Sequence, residues 1–374
     1  MNGQGFYWCK WIFVQGVRRL RLGKLMFQLT ARHKFLKLDR ETVAGAGRLL
    51  AQASPNPKAS CITENQFVPE VDLQIIVPAY NVEKYIRKCL ESVLSQDLPY
   101  TWRLVVVNDG SADGTGDILR EYEGHPNIQV IWSENRGLSG ARNRGLEKII
   151  GKYVMFLDAD DYLGELRHML DVAFETGADV VEGSYVSVWP NGRVRYTAVH
   201  APGPLNPLTQ LGGMSVRKLV KGEFFQNICF PQGYWFEDSL CQQILYPLIE
   251  TAQGVSDIVY YYLANPRGIS ATSRKHPKAI DSFWITEQLF EDRGKLGIPI
   301  TQEYYEYILW MVQLTFQRTM CLGPDIRRAV FVQFADFVTK NFPGLEARQE
   351  KYRSLEKALK EGDLGYYEAV CSWL

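Results

Sequence analysis

The segment YVMFLDADDYL, residues 153–163, places three carboxylates directly after a run of apolar and aromatic residues. The run YVMFL has the composition of a buried β-strand, and Asp158, Asp160 and Asp161 follow it at once. Like charges at this spacing repel one another, and partial burial would cost several kcal/mol unless a cation lies among them. The segment therefore predicts a strand that ends in a cation-binding turn.

Three earlier apolar runs have the same character, and each is followed by a helical pattern. The runs are LQIIVPA (73–79), RLVVVN (103–108) and IQVIW (128–132), and the helices are predicted at EKYIRKCLESVLSQ, near 115–123 and near 139–150. Continuous apolar strands separated by helices predict an α/β fold with a mostly parallel sheet covered by helices on both faces. Ligands bind at the carboxyl ends of such strands, which here read PAYN, NDGS and DADD.

The rest of the chain is predicted in less detail. A helix is expected near 165–176, a strand at 179–188, a Pro- and Gly-rich loop at 201–213 and a linker at 48–70. After residue 268 the pattern turns helical, with Ile326, Val330, Phe334, Phe337 and Val338 near helical spacing. We therefore predict a basic N-terminal extension and linker (1–70), an α/β domain (71–268) and a helical C-terminal region (269–374).

Composition excludes several classes of protein. The 374 residues are 46% hydrophobic and 22% charged, as in ordinary globular proteins. The 7 cysteines are scattered and contain no CxxC pair, which favours reduced thiols over a disulfide framework or a zinc site. No apolar run is long enough for a transmembrane helix, and Lys10 interrupts the N-terminal aromatic residues, so no signal peptide is expected.

The N-terminal segment is basic and amphipathic. Residues 1–70 contain 11 Lys or Arg and 4 Asp or Glu, although the whole chain has 42 of each class. KWIFVQGVRRLRLGKLMF (10–27) has the composition of a helix that lies on an anionic membrane surface. The alternative is a helix that packs on the protein's own body or at a subunit interface of a homo-oligomer.

Each polar cluster at a strand end has a chemical and an ordinary interpretation. The DADD carboxylates suit Mg²⁺ or Mn²⁺ but also occur as solvated turn residues. Asp109, directly after a strand, suits a base or ribose, although Asp and Gly are also ordinary turn residues. Arg142, in NRGLSGARNRGL, suits phosphate oxygens at a helix start but also fits a solvated basic helix face.

Together, in this order and spacing, these motifs resemble those of the family 2 glycosyltransferases, which have the GT-A fold. The resemblance covers about 73–163 and continues more thinly through GYWFEDSL (233–240) and YYYLANPRGIS (260–270). It implies that Asp160 is the principal metal ligand and that Asp158 lies near the metal, ribose and diphosphate. It also implies that the nucleotide sugar contacts Pro78, Ala79, Tyr80, Asn81, Glu83, Asp109 and Arg142.

A transferase also needs a base, and Glu237 and Asp238 in YWFEDSL are candidates because flanking aromatic residues would raise a carboxylate's basicity. An acidic pair that opens a helix is the structural alternative. The resemblance favours Asp238 as the base, with Glu237 as the alternative. The last motif departs from the family because Leu263 and Ala264 occupy the place of a basic residue, which leaves Arg267 as a candidate for diphosphate contact.

The resemblance implies a metal-dependent, inverting enzyme that uses Mn²⁺ or Mg²⁺ and a nucleotide-diphosphate sugar, with UDP favoured as the nucleotide. The expected acceptor is a glycan, glycolipid or glycoprotein, in bacterial polysaccharide or glycan assembly. We expect a cytoplasmic location, with residues 1–40 contacting the inner face of the membrane, and no nucleic-acid partner. The alternatives are a nucleotidyltransferase acting on a sugar phosphate and an inactive module that binds nucleotide sugars.

Overall fold

The computed structural model describes residues 33–266 and 268–373, which form two compact units. One unit contains the described residues up to Asn56, Ile269–Glu287 and the residues from Pro299 onward. The other contains Pro57–Gly268 and Gln288–Ile298, and it includes every strand end that the sequence predicts to bind a ligand. The basic segment 10–27 and Arg267 lie outside the described residues.

The second unit is built on a ten-stranded sheet. Its strands are β1 (Gln66–Ala79), β2 (Trp102–Asp109), β3 (Ile128–Ser133), β4 (Lys148–Phe156), β5 (Tyr162–Leu163), β6 (Val180–Val188), β7 (Val194–Ala198), β8 (Gly203–Leu205), β9 (Lys218–Lys221) and β10 (Ala252–Leu263). The order along the sheet is β3-β2-β1-β4-β9-β6-β10-β5, with β7 beside β6 and β8 beside β10.

Helices connect the first strands, as the sequence predicts. Helices α2 (Ile86–Leu94), α3 (Thr115–Arg120) and α4 (Gly137–Leu146) connect β1 to β4; α1 (Arg40–Ala53) precedes β1, and α5 (Arg167–Thr176) and α6 (Pro207–Gln210) follow β5 and β8. The predicted apolar face of α2 is confirmed, because Ile86, Cys89, Leu90 and Val93 are all buried.

The direction of the strands brings the polar clusters to one edge. β1, β2, β3 and β4 pair in parallel, and β9 is antiparallel to both β4 and β6. β6 therefore runs in the same direction as β4, and β10 is parallel to β6. The carboxyl ends of β1, β2, β4, β6 and β10 consequently meet at the same edge of the sheet, where ligands bind in open α/β sheets.

The predicted α/β fold class with a helical C-terminal region is confirmed, and some element boundaries differ. The helix expected near 139–150 ends at Leu146, because residues 148–150 already belong to the parallel strand β4. The predicted loop 201–213 contains β8 and α6. Within the predicted linker 48–70, residues 48–53 belong to α1 and residues 66–70 belong to β1. The division at residues 70 and 268 stays a prediction.

The first unit is helical. Besides α1 it contains α7 (Ile269–Thr272), the start of α8 (Asp281–Lys295) and the whole of α9 (Gln302–Thr319), α10 (Pro324–Asn341), α11 (Glu350–Glu361) and α12 (Leu364–Trp373). The spacing predicted for α10 is confirmed, because Val330, Phe334, Phe337 and Val338 are buried. Among the helices that the structure describes, none is both long and apolar enough to cross a membrane.

Candidate active site

The loops after β1 and β2 are joined by reciprocal hydrogen bonds. The Asn81 side-chain oxygen accepts from the Ala112 N–H at 2.8 Å, and the Glu83 carboxylate accepts from the Gly114 N–H at 2.9 Å. Asn81 has a φ of 52°, in the left-handed region that Asn tolerates better than most residues. Asn81 and Glu83, which the sequence predicts to border the nucleotide, therefore also fix the shape of these two loops.

The other predicted residues of the first loop differ in exposure. Pro78 and Ala79 are buried as the last two residues of β1, and Tyr80 is exposed immediately after them. Of these three, Tyr80 has the side chain that is most accessible to a ligand at the carboxyl edge. Nucleotide contact by all five residues of the loop stays a prediction.

Asp109 ends β2 and holds the start of α4. Its Oδ1 accepts from the Arg136 N–H at 2.8 Å, and burial raises the pKa of its carboxyl group although that N–H bond opposes the rise. Gly110 follows with a φ of 72°, and a Cβ there would lie 2.9 Å from the Asn135 nitrogen. A glycine is therefore needed at this turn, which keeps Asp109 at the carboxyl edge.

A cationic side chain, Arg142 of α4, contacts the first carboxylate of the DADD turn. Arg142 is 1% exposed; its Nη2 donates to Asp158 Oδ1 at 2.7 Å and its Nη1 donates to Glu237 Oε1 at 2.8 Å. Nη1 also lies 3.7 Å from Asp238 Oδ1. Burial disfavours the charged guanidinium, but these carboxylates outweigh burial and raise the pKa of Arg142.

Two aromatic rings enclose this guanidinium. Its Cζ lies 5.1 Å from the ring centre of Phe230 and 5.8 Å from that of Phe156, the last residue of β4. The sequence predicts Arg142 as a nucleotide-sugar ligand. In the structure its two terminal nitrogens bind protein carboxylates, so Arg142 connects the DADD turn to the Glu237–Asp238 pair. Direct contact with a donor stays a prediction.

Asp161 has a local hydrogen-bonding role. Its Oδ2 accepts from the Tyr260 hydroxyl at 2.6 Å, and its Oδ1 accepts from the Leu263 N–H at 2.7 Å. The Tyr260 hydroxyl in turn accepts from the Asp158 N–H at 3.2 Å. Burial, followed by the charges of Asp160 and Asp158, raises the pKa of Asp161 well above its ordinary value. Strand β10 therefore holds the DADD turn in place through the hydrogen bonds of Tyr260 and Leu263.

Asp160 carries a charge that lacks a cationic partner among the described residues. Its Oδ2 accepts from Asn265 Nδ2 at 3.0 Å, and burial together with the charge of Asp158 raises the pKa of its carboxyl group. A hard divalent cation is a suitable partner for an unpaired carboxylate that lies beside a second carboxylate, here Asp158. The donor set of Asp158 and Asp160 therefore fits Mn²⁺ or Mg²⁺.

No group of three or more His, Cys, Asp or Glu side chains in metal-binding geometry occurs within 33–266 and 268–373. Two carboxylates alone leave most of a cation's shell to oxygen atoms of water and phosphate, which is how Mg²⁺ is commonly held in phosphate-binding sites. The Asp158–Asp160 pair therefore fits a cation whose other ligands are oxygen atoms of water and of a bound diphosphate.

The two candidate bases differ in exposure. The side chain of Glu237 is 8% exposed and that of Asp238 is 38% exposed. Burial and the neighbouring Asp238 raise the pKa of Glu237 to about 7, although Arg142 opposes the rise. Asp238 Oδ1 accepts from the Ser215 N–H at 3.1 Å. Asp238 is therefore the carboxylate that can meet an acceptor, while Glu237 is occupied by Arg142.

The backbone around this pair is irregular. Phe236 has a φ of 67°, which is strained for a bulky residue, and a π-helical turn follows at Cys241–Leu245. Strained residues and π-helical turns both cluster at functional sites.

The sequence pattern described as Glycosyl transferase family 2 matches residues 74–226, which include the ends of β1, β2 and β4. Residues 74–226 therefore form a family 2 glycosyltransferase domain. Glycosyltransferase GlyA of Streptococcus pneumoniae is 32% identical over 213 residues, which cover 51% of this chain and 30% of GlyA. The putative teichuronic acid biosynthesis glycosyltransferase TuaG of Bacillus subtilis is 36% identical over 137 residues, which cover 36% of this chain and 54% of TuaG.

A solved structure shares the fold. The crystal structure of S. aureus TarS residues 1–349 in complex with UDP-GlcNAc has a TM-score of 0.66 and 22% sequence identity, and the match covers 80% of this chain and 90% of that chain. The GT-A fold predicted for the family 2 domain is therefore confirmed. The matches cover less than two thirds of the length of GlyA and of TuaG.

Sequence reasoning missed two residues that support the family 2 motif. Tyr260 hydrogen-bonds to Asp161, and Asn265 hydrogen-bonds to Asp160. Both lie in a segment whose sequence was interpreted only for the presence of a basic residue. Their position in YYYLANPRGIS, the last segment of the resemblance, is the signal that could have identified them.

Proposed function

We propose that this chain transfers a sugar from a nucleoside diphosphate donor to a hydroxyl group of a glycan acceptor, with inversion at the anomeric carbon. The observation that carries the proposal is the placement of Arg142, which contacts Asp158 of the metal-binding motif and the Glu237–Asp238 pair. One buried guanidinium thus holds a partly exposed carboxylate next to the place where the donor diphosphate would lie. The family 2 domain supports the same reaction.

Two comparisons support the proposed substrates. TarS, which shares the fold, was crystallised with UDP-GlcNAc, and this supports a UDP-sugar as the donor. TuaG is named for teichuronic acid biosynthesis, and this supports a bacterial surface polymer as the acceptor. Polysaccharide assembly is therefore the proposed process.

The proposed cofactor is Mn²⁺ or Mg²⁺, held by Asp160 and Asp158. Such an ion, when bound, supplies positive charge that stabilises the departing diphosphate. Asp161 keeps the turn in shape through Tyr260 and the Leu263 N–H. Arg142 orients Asp158, because its Nη2 donates to Asp158 Oδ1 at 2.7 Å.

Asp238 is the proposed general base. The acceptor hydroxyl oxygen attacks the anomeric carbon from the side opposite the diphosphate, so that the new C–O bond forms as the bond to the diphosphate oxygen breaks. The hydroxyl proton passes to the Asp238 carboxylate, and the nucleoside diphosphate departs. The Ser215 N–H, 3.1 Å from Asp238 Oδ1, fixes the orientation of the base.

A donor screen tests the proposal. Purified protein with Mn²⁺ or Mg²⁺ is incubated with a panel of nucleotide sugars, with and without EDTA, and release of nucleoside diphosphate is measured. We expect release from a UDP-sugar that EDTA abolishes. Asp160→Asn should lower the rate about 10²- to 10³-fold, because it removes electrostatic stabilisation of the leaving group.

The matched control for this screen is Asp117→Asn, which removes a carboxylate that is 84% exposed on α3 and pairs with Arg120. Its rate should equal that of the wild type. Full activity of Asp160→Asn, or full activity in EDTA, would contradict the proposed metal site. Failure to bind UDP in calorimetry would contradict the proposed donor.

We also propose that the chain acts at a membrane surface. The proposal rests on the basic amphipathic sequence 10–27, which combines Arg18, Arg19, Arg21 and Lys24 with apolar residues. Acceptors of surface polymer assembly that are attached to lipid would be concentrated at the same surface.

A further inference from the structure

The β6–β7 hairpin presents a stacked, cationic surface that the proposed chemistry does not use. We define the hairpin surface as Trp189, Arg193, Arg195 and Tyr196. Trp189 is 45% exposed and Tyr196 is 43% exposed, and the Arg195 guanidinium lies 5.1 Å and 5.6 Å from their ring centres. Contact of a guanidinium with two exposed aromatic rings makes a surface that is both cationic and aromatic.

The backbone of this hairpin is well defined. The Trp189 N–H donates to the Arg193 carbonyl and the Gly192 N–H donates to the Trp189 carbonyl, each at 2.8 Å. Gly192 has a φ of 80°, as a tight turn requires. At the base of the surface the hydroxyl groups of Tyr185 and Tyr196 lie 3.2 Å apart. The aromatic rings are therefore presented on a fixed support.

Among residues 33–266 and 268–373, no carboxylate neutralises the charge of the hairpin surface. Residues 183–200 contain Arg193 and Arg195 but no Asp or Glu. Both arginines are exposed, and neither forms an ion pair with a carboxylate in the part of the chain that the structure describes. Stacking leaves the edge of a guanidinium free to bind an anion through two N–H groups.

A short chain of contacts joins the hairpin surface to the metal-binding motif. Val188, the residue before Trp189, accepts a hydrogen bond from the Ala264 N–H at 2.8 Å. The next residue, Asn265, donates to Asp160 Oδ2 at 3.0 Å. The carboxyl ends of β6 and β10 therefore bring the hairpin to the same edge of the sheet as Asp160.

We propose that the hairpin surface is an acceptor subsite and that the acceptor is a glycan bearing phosphate or carboxylate groups. The aromatic faces pack on the apolar faces of sugar rings, and the arginines bind the anionic groups. This inference rests on the proposed function, since it names the acceptor class for the same site.

Calorimetric titration tests the inference with defined probes: a galacturonate hexamer for carboxylate, a phosphomannan oligosaccharide for phosphate, and maltohexaose as the neutral glycan. The wild type should bind at least one anionic probe more tightly than maltohexaose, and the tighter of the two identifies the anionic group. Arg195→Ala should weaken that binding about tenfold. Arg195→Lys should restore part of it, because it returns the charge without the planar stacking group.

Arg120→Ala is the matched control, since Arg120 also stacks on an exposed tryptophan, Trp132 at 5.2 Å, but pairs with Asp117. Its glycan affinity should equal that of the wild type. Equal binding of anionic probes by wild type and Arg195→Ala, or binding of maltohexaose as tight as theirs, would overturn the inference.

UDP binding is titrated on the same samples and should not change in any of these variants. Loss of UDP binding by the wild type would contradict the proposed function. Unchanged UDP binding together with glycan binding that does not depend on Arg195 would contradict only the hairpin inference. Thermal unfolding of each variant verifies that the exposed substitutions leave the fold intact.

Discussion

At the scale of single residues, Arg142 explains how the DADD turn tolerates the charge of Asp158. A buried guanidinium is costly unless it is paired, and here Asp158 and Glu237 each accept a hydrogen bond from it. The sequence predicts a cation at this turn and predicts Arg142 as a nucleotide-sugar ligand. It does not predict that Arg142 contacts the turn. Asp158 and Glu237 lie 16 and 95 residues from Arg142 along the chain, and local periodicity carries no information about contacts at that separation.

Substitution of the two candidate bases separates their roles. Asp238→Asn should lower kcat about 10²- to 10⁴-fold, the usual contribution of a general base, and leave UDP affinity unchanged. Glu237→Gln keeps the exposed carboxylate and weakens only the Arg142 contact, so its loss should be about tenfold. Steady-state kinetics over a range of pH measure both effects.

The pH profile gives a second distinction between these variants. The fall of kcat at acid pH should persist in Glu237→Gln, because that variant keeps the proposed base. It should disappear in Asp238→Asn, because the residual reaction has no base to protonate. The reverse pattern would identify Glu237 as the base.

At the scale of elements, the strands that end at the site could be predicted because long apolar runs mark them. Strand β9 could not, since four residues give no usable period and its position between β4 and β6 comes from distant pairing. A buried ion cluster forms at that pairing. Glu182 of β6 lies opposite Lys218 of β9, and its Oε1 lies 2.7 Å from both Lys218 Nζ and Arg217 Nη2.

Removing the central charge of this cluster should destabilise the β6–β9 pairing. Glu182→Gln leaves Lys218 and Arg217 buried without their counter-ion, so the free energy of unfolding should fall by about 3–5 kcal/mol. Urea unfolding at neutral pH measures the change. Glu165→Gln, at an exposed position, is the control and should change stability by about 0.5 kcal/mol or less.

The difference in unfolding free energy between wild type and Glu182→Gln should depend on pH. Burial opposes ionisation of Glu182, but Lys218, His200 and Arg217 outweigh it and hold its pKa well below the ordinary value. A depressed pKa stabilises the folded state above the unfolded pKa of about 4.3, and this stabilisation is lost as the pH falls. The gap between wild type and Glu182→Gln should therefore shrink below about pH 4; a gap that widens there would contradict this assignment.

At the scale of the whole molecule, the charge is balanced in total but not in distribution. The 11 Lys or Arg residues of the first 70 meet only 4 Asp or Glu, so the remainder is acidic. If the chain acts at a membrane as proposed, we expect the basic segment to face the anionic lipid. Composition alone predicts this uneven distribution of charge, whereas residues 10–27 themselves lie outside the described part of the chain.

Vesicle binding tests that orientation. Deletion of residues 1–32 should abolish co-sedimentation with vesicles that contain anionic phospholipid. Arg18→Glu combined with Arg19→Glu and Arg21→Glu should weaken it about 10²-fold, since each basic residue contributes about 1 kcal/mol. Vesicles of phosphatidylcholine alone serve as the control. Equal binding by the full chain and the deletion variant would remove the membrane from the proposed function.

The hydrogen bonds around the DADD turn also bear on the thermodynamics of donor capture. Arg142, Tyr260, Asn265 and the Leu263 N–H hold the three carboxylates before any ligand arrives. A preorganised site loses little conformational entropy on binding, and its dipoles need not reorient as charge develops on the leaving group. The conformational entropy of these side chains is lost during folding. The binding free energy of the nucleotide therefore remains available for lowering the barrier to sugar transfer.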